Sequence, residues 1–194
     1  MTLALFDVDG TLLLTPDLVA VRAILDAIDP SLPDEAFTQL PHAGQTSLWL
    51  VEQILGHQPD PGWCERAERR YRELLGDTSH WRKPHGADGV LAALRRRGVQ
   101  LALLTGTPEG IARLRMERLG LAGFFPEGQG GFGCESADRA ELIRHAVARA
   151  GAKPEDTVEI GDTPLDEETA QAAGVRAIRV DRLGSFSELL ELVA

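Results

Sequence analysis

The sequence predicts an α/β protein: a doubly wound, mostly parallel sheet with an α-helical cap inserted near its start. Three observations carry this. The short apolar run "LALF" stops at a pair of carboxylates, Asp7 and Asp9. A long stretch with helical periodicity follows it. From Pro84 onward, strand-like and helix-like runs alternate, which is the pattern of βαβ units with helices on both faces of a parallel sheet.

Residues 2–6 are apolar without helical spacing and read as a short buried strand. In "PDLVAVRAILDAI" the apolar residues fall at 18, 21, 24, 25 and 28, an amphipathic helical stripe. "SLWLVEQILG" and "WCERAERRYRELLG" each close on glycine, a helix stop. Next come helix "GVLAALRRRG", strand "VQLALL" and helix "PEGIARLRMERLG". A short strand is expected within 124–132, then helix "ADRAELIRHAVARAG" and strand "TVEI". Helix "PLDEETAQAAG", strand "VRAIRV" and a last helix "SFSELLELV" complete the chain. The expected division is an α/β core of residues 1–15 and 83–194 and a helical cap of residues 16–82.

The 194 residues, 43% hydrophobic and 26% charged, suit one good-sized domain or a core with a small insert. A formal net charge of −10 argues against nucleic acid, which is held by basic patches, but not against a small anion met by a local field. No apolar run approaches the length of a membrane span, and no signal peptide is visible. Cys64 and Cys134 lie far apart without metal-ligand spacing; they read as free thiols, which suits a reducing cytoplasm. Nothing in the sequence sets the oligomeric state.

In open parallel sheets, ligands bind outside the carboxyl ends of the strands. After the first strand stands Asp7-Val8-Asp9-Gly10-Thr11; after "VQLALL", Thr105-Gly106-Thr107; after "TVEI", Gly161-Asp162-Thr163-Pro164-Leu165-Asp166. Asp-Gly after a strand is by itself a turn signal. Three such segments on one sheet edge are more than that, because converging carboxylates repel unless a cation binds or a proton is shared. A few hard oxygen ligands point to Mg²⁺, which keeps several waters and often takes a phosphate oxygen. An EF-hand loop fails, since Leu12 and Leu18 occupy its glycine and closing glutamate positions.

With these residues in place, the chain resembles the haloacid dehalogenase-like (HAD) hydrolase superfamily, in its phosphoglycolate-phosphatase-like branch. "DVDGT", "LLTGT" and "GDTPLD" match its first, second and fourth motifs, and the likeness spans the whole chain. The resemblance implies a HAD-like Rossmannoid core and a Mg²⁺-dependent phosphatase of a small phosphorylated metabolite. Asp7 would be the nucleophile that becomes an aspartyl-phosphate, and Asp9 the general acid and then base. The metal would be held by the Asp7 carboxylate, the Asp9 carbonyl and Asp162. Asp166 and Thr11 would support, and Thr105 and Gly106 would hold phosphoryl oxygens. An aspartate at position 9 favours phosphate esters over the dehalogenase and phosphonatase chemistries of the superfamily.

The third motif departs from the family, whose usual residue is a lysine. Lys153 precedes the "TVEI" strand and so belongs at the wrong edge of the sheet. Arg139 opens a helix on the right edge and is the expected phosphate-side cation. "GQGGFG", residues 128–133, fits G-x-G-x-x-G but lacks a clear strand before it and an acid 20 residues on, so it reads as a flexible strand end or turn. In the cap, "HAGQT" would face the site with His42 and Gln45; the family often has a basic residue near Gln45. His80, Arg82, Lys83 and His85, in the return to the core, read equally as anion contacts or as a solvated linker. Trp49 reads as core. The alternatives are a phosphomutase of the same fold, or a catalytically silent binding module.

Overall fold

The computed structural model describes residues 2–193. The element order is β1 (Leu3–Phe6), α1 (Leu18–Ile28), α2 (Glu35–Thr38), α3 (Ser47–Leu55), α4 (Trp63–Leu74), α5 (Ala87–Arg96) and β2 (Gln100–Thr105). There follow α6 (Glu109–Arg118), β3 (Gly131–Phe132), α7 (Arg139–Ala150), β4 (Thr157–Gly161), α8 (Pro164–Ala172), β5 (Arg176–Arg179) and α9 (Leu189–Leu192). The five strands form one parallel sheet in the order β3-β2-β1-β4-β5. β1 and its neighbours are thus central, and their carboxyl ends meet at one edge.

Side chains alternate across a strand, so a central parallel strand must be apolar on both faces. β1 obeys this: Ala4 and Phe6 join a cluster with Val90, Leu91 and Met116 of α5 and α6. Leu3 and Leu5 join another with Leu142, Ile143 and Ala170 of α7 and α8. This is the doubly wound arrangement the alternating pattern predicts. Helix starts follow from capping side chains. Thr46 Oγ1 accepts from Trp49 N at 3.1 Å, and Asp138 accepts from Ala140 N at 2.8 Å. Thr163 and Asp166 form a reciprocal capping box with Pro164 in the first turn of α8.

Helices α1–α4 stand between β1 and α5 and pack mainly on one another. Ile24 and Ala27 of α1 meet Trp63 and Ala67 of α4, and Leu25, Phe37 and Leu50 form a second cluster against which the partly buried Trp49 packs. Ala20, Ala23 and Tyr71 close on Ile111 of α6, joining this insert to the rest.

One expectation is met in its shortest form and two need correction. The strand expected within 124–132 is only Gly131–Phe132, preceded by a single 3₁₀ turn at Ala122–Phe124, because the glycine-rich run offers little side-chain packing to extend it. The last helix is split into a 3₁₀ turn at Phe186–Glu188 and the short α9. Cys64 and Cys134 are not free thiols: they form a disulfide with a Cα–Cα separation of 6.2 Å, linking α4 to the segment after β3. Their 70-residue separation in sequence hid a proximity that the docking of the insert creates. Among the described residues, no helix is long and apolar enough to cross a membrane.

Candidate active site

The carboxyl end of β1 delivers Asp7, which is buried and whose N–H donates to the Ile160 carbonyl at 2.9 Å. Three residues on, the chain turns through Gly10, whose φ of +76° and close approach to the Asp162 carboxylate leave no room for a side chain. Asp162 follows β4. Carboxylate oxygens of Asp7, Asp162 and Asp166 lie within 4.8 Å of one another. Burial, followed by repulsion from Asp166, raises the Asp162 carboxyl above its ordinary range, and Oδ1 of Asp162 is buried without a hydrogen-bond partner. Burial likewise pushes Asp7 well up, with Arg139 pulling the other way. Clustered hard oxygens with an orphaned acceptor are the donor set a small divalent cation requires. The residues present fit Mg²⁺.

Arg139, at the start of α7, is 3% exposed and reaches into this cluster. Nη2 is 2.6 Å from Asp166 Oδ1, 3.3 Å from Asp7 Oδ1 and 3.5 Å from Glu159 Oε1. Burial opposes its charge, but these carboxylates outweigh it and raise its pKa. Nη1 donates to the Gly44 carbonyl at 3.1 Å, so the same guanidinium tethers the insert. Asp166, wholly buried, also accepts from Thr163 N and Thr163 Oγ1 at 2.8 and 2.7 Å. Lys153, by contrast, lies just before β4, 71% exposed and 4.0 Å from Glu155, at the opposite sheet edge.

Asp9 is half exposed. Its carboxylate accepts from Thr107 Oγ1 at 3.2 Å and from Arg115 Nη1 at 2.8 Å. Arg115, on α6 and 2% exposed, also gives Nε to Asp17 at 2.9 Å, and Asp17 accepts from the Tyr71 hydroxyl at 2.6 Å. Thr105, at the end of β2, is buried and its Oγ1 accepts from Thr107 N at 3.2 Å. Gly106 passes so close to the Gln45 carbonyl that a Cβ would overlap it, and its own carbonyl accepts from Ser47 N at 2.7 Å. Thr11 is fully buried, its hydroxyl unpartnered. His42 and Gln45 lie in the turn between α2 and α3.

These residues share one cavity of about 380 Å³ between the sheet edge and the insert. Asp7, Asp9, Thr105, Gly106, Arg139, Asp162, His42 and Gln45 all line it. Asp166 and Thr11 stand behind it, and His80, Arg82, Lys83 and His85 are not in its wall. Sequence reasoning passed over Arg115, which reads as one more helix-surface arginine, and Glu159. A glutamate inside a continuous buried strand run was the available signal for the second. No local pattern marks the first.

A family model described as haloacid dehalogenase-like hydrolase matches residues 1–174, and the chain belongs to that family. Within it the chain is a phosphatase, similar to proteins of that activity along most of its length. A phosphoglycolate phosphatase from Rhodospirillum rubrum is 38% identical, over 90% of this chain and 77% of that one. A phosphoserine phosphatase from Thermus thermophilus is 30% identical, over 94% of this chain and 89% of that one. The fold is shared with CbbY from Rhodobacter sphaeroides, solved with xylulose-(1,5)bisphosphate: TM-score 0.71 and 22% identity over 97% of this chain and 96% of that one.

Proposed function

We propose that this phosphatase is Mg²⁺-dependent and hydrolyses a small phosphorylated metabolite through an aspartyl-phosphate on Asp7. The observation that carries this is the meeting of Asp7, Asp162 and Arg139 at the floor of one cavity, with Asp166 directly behind them. The cation would be held by the carboxylates of Asp7 and Asp162 and the carbonyl of Asp9, with Asp166 behind them. It would neutralise phosphoryl charge and keep Asp7 ionised despite its burial. Thr105 and the Gly106 amide would hold phosphoryl oxygens, and Arg139 would fix the Asp7 oxygens in line with phosphorus.

Asp7 Oδ bonds to phosphorus as the ester P–O bond breaks, and Asp9, protonated, gives its proton to the departing oxygen, releasing an alcohol. Asp9 then takes a proton from water, whose oxygen attacks phosphorus and frees Asp7 with inorganic phosphate. Helices α1–α4 serve as a cap over this chemistry. The cytoplasmic setting expected from free thiols loses that support, because Cys64 and Cys134 are paired and disulfides are rare in a reducing compartment.

The test is release of phosphate from phenyl phosphate with Mg²⁺, with EDTA, and with Asp7→Asn. Hydrolysis abolished by EDTA and by the substitution is the expected result. Activity surviving either control would remove the mechanism.

A further inference from the structure

Above its carboxylate floor the cavity changes character. The wall that would face a leaving group is built from Leu14, Leu18, Val21, Ile24, Phe37 and Leu50. Leu14 and Leu18 are 50% and 70% exposed; with Leu192 they are the large hydrophobic side chains left in solvent among the described residues. Two of these three therefore stand at the rim of one cavity. Ile24, Phe37 and Leu50 are nearly buried behind them, so Leu14, Leu18 and Val21 are the apolar side chains a bound leaving group would cover.

The cations tell the same story. Arg115 and Arg139 are the lysine or arginine side chains in the cavity wall. Arg115 is already shared by Asp9 and Asp17. Arg139 is already shared by Asp7, Glu159 and Asp166. Both are nearly fully buried, so turning either toward a substrate would leave carboxylates unpaired. His42 is held to its own turn, Nδ1 at 3.0 Å from the Leu40 carbonyl and the ring tilted against Phe37 with centroids 5.6 Å apart. Gln45 and Ser47 are neutral. Once the phosphoryl group is met, a second acidic group on the substrate would face aliphatic side chains and the nearby carboxylates of Asp9 and Asp17. That arrangement rejects it.

We infer that the leaving group is an uncharged alcohol with an apolar body, so that alkyl and arylalkyl phosphate monoesters are hydrolysed in preference to phosphorylated carboxylic acids. This rests on the phosphatase reading above. It departs from the substrates that name the relatives, both of which bear a carboxylate.

The experiment compares benzyl and butyl phosphate with phosphoglycolate and phosphoserine, at fixed Mg²⁺, in wild type and Leu18→Arg. The expected kcat/KM is at least about tenfold higher for the uncharged pair, the discrimination that one or two buried carbons give in such a wall. Leu18→Arg supplies the missing cation at an exposed site. It should shift the ratio toward phosphoglycolate by about tenfold or more, with Leu14→Arg as a second variant should the first not fold. Equal or faster turnover of phosphoglycolate by wild type overturns the inference while leaving the phosphatase reading intact. If no ester is hydrolysed, phenyl phosphate included, the phosphatase reading falls. Calorimetric titration of Asp7→Asn with benzyl phosphate and with phosphoglycolate then still decides: tighter phosphoglycolate binding refutes an apolar leaving-group site.

Discussion

Arg139 stands among three carboxylates, and one of them, Glu159, sits fully buried in the middle of β4. An arginine is larger than a lysine and spreads its charge over a plane, so it can meet several acceptors at once. Burial pushes the Glu159 carboxyl up to about 8, with Arg139 acting against the shift. Its ordinary value is 4.5. Between those values the folded protein keeps a proton that the unfolded chain has released. The stability from this group is therefore fully present below about pH 4.5 and is lost as pH rises toward 8. Glu159→Gln abolishes the titration at nearly constant shape. The variant's melting temperature should gain on that of wild type from pH 5 to pH 9; parallel curves would mean that Glu159 is ionised throughout.

At the scale of elements, the ends of β1, β2 and β4 create the site, and the insert is fastened over it. Ser47 and Leu48, at the start of α3, donate their N–H groups to the carbonyls of Gly106 and Gly133 at 2.7 and 2.8 Å. The Cys64–Cys134 disulfide fastens α4 to the segment that follows Gly133. A cross-link closing a loop of this length stabilises typically by 2–4 kcal/mol, through the entropy it removes from the unfolded chain. Reduction should lower the melting temperature by roughly 5–15 °C, and Cys64→Ser with Cys134→Ser should match the reduced wild type. Thiol counting with and without reductant checks the pairing directly; two reactive thiols in the oxidised protein would refute it.

For the whole molecule, the disulfide bears on how substrate enters. The insert contacts the rest through Arg139 and Gly44, through the Tyr71–Asp17–Arg115 chain, and through the bond between Gly110 N and Glu68 at 2.7 Å. With the disulfide intact these contacts hold it docked. A folded chain of this length has a radius of gyration of roughly 16 Å. Solution scattering of the oxidised protein should be unchanged by Mg²⁺ and vanadate, whereas the reduced protein should be larger and contract when they are added. Identical curves in all four states would rule out large cap motion.

The features legible before folding follow from local rules. Apolar runs without helical spacing became buried parallel strands, and amphipathic stripes became helices. Because parallel strands all end on one edge, the three segments around Asp7, Thr105 and Asp162 could be brought together from pattern alone. The same edge rule separated Arg139 from Lys153. The tertiary structure alone decided what depends on approach between distant segments: the pairing of Cys64 with Cys134, the hold of Arg115 on Asp9, and the set of carboxylates around Arg139. It also decided which side chains of α1 and α3 face the cavity rather than their own neighbours. Packing between elements is set by the sum of many weak contacts over the whole molecule, and no short stretch of sequence contains that sum.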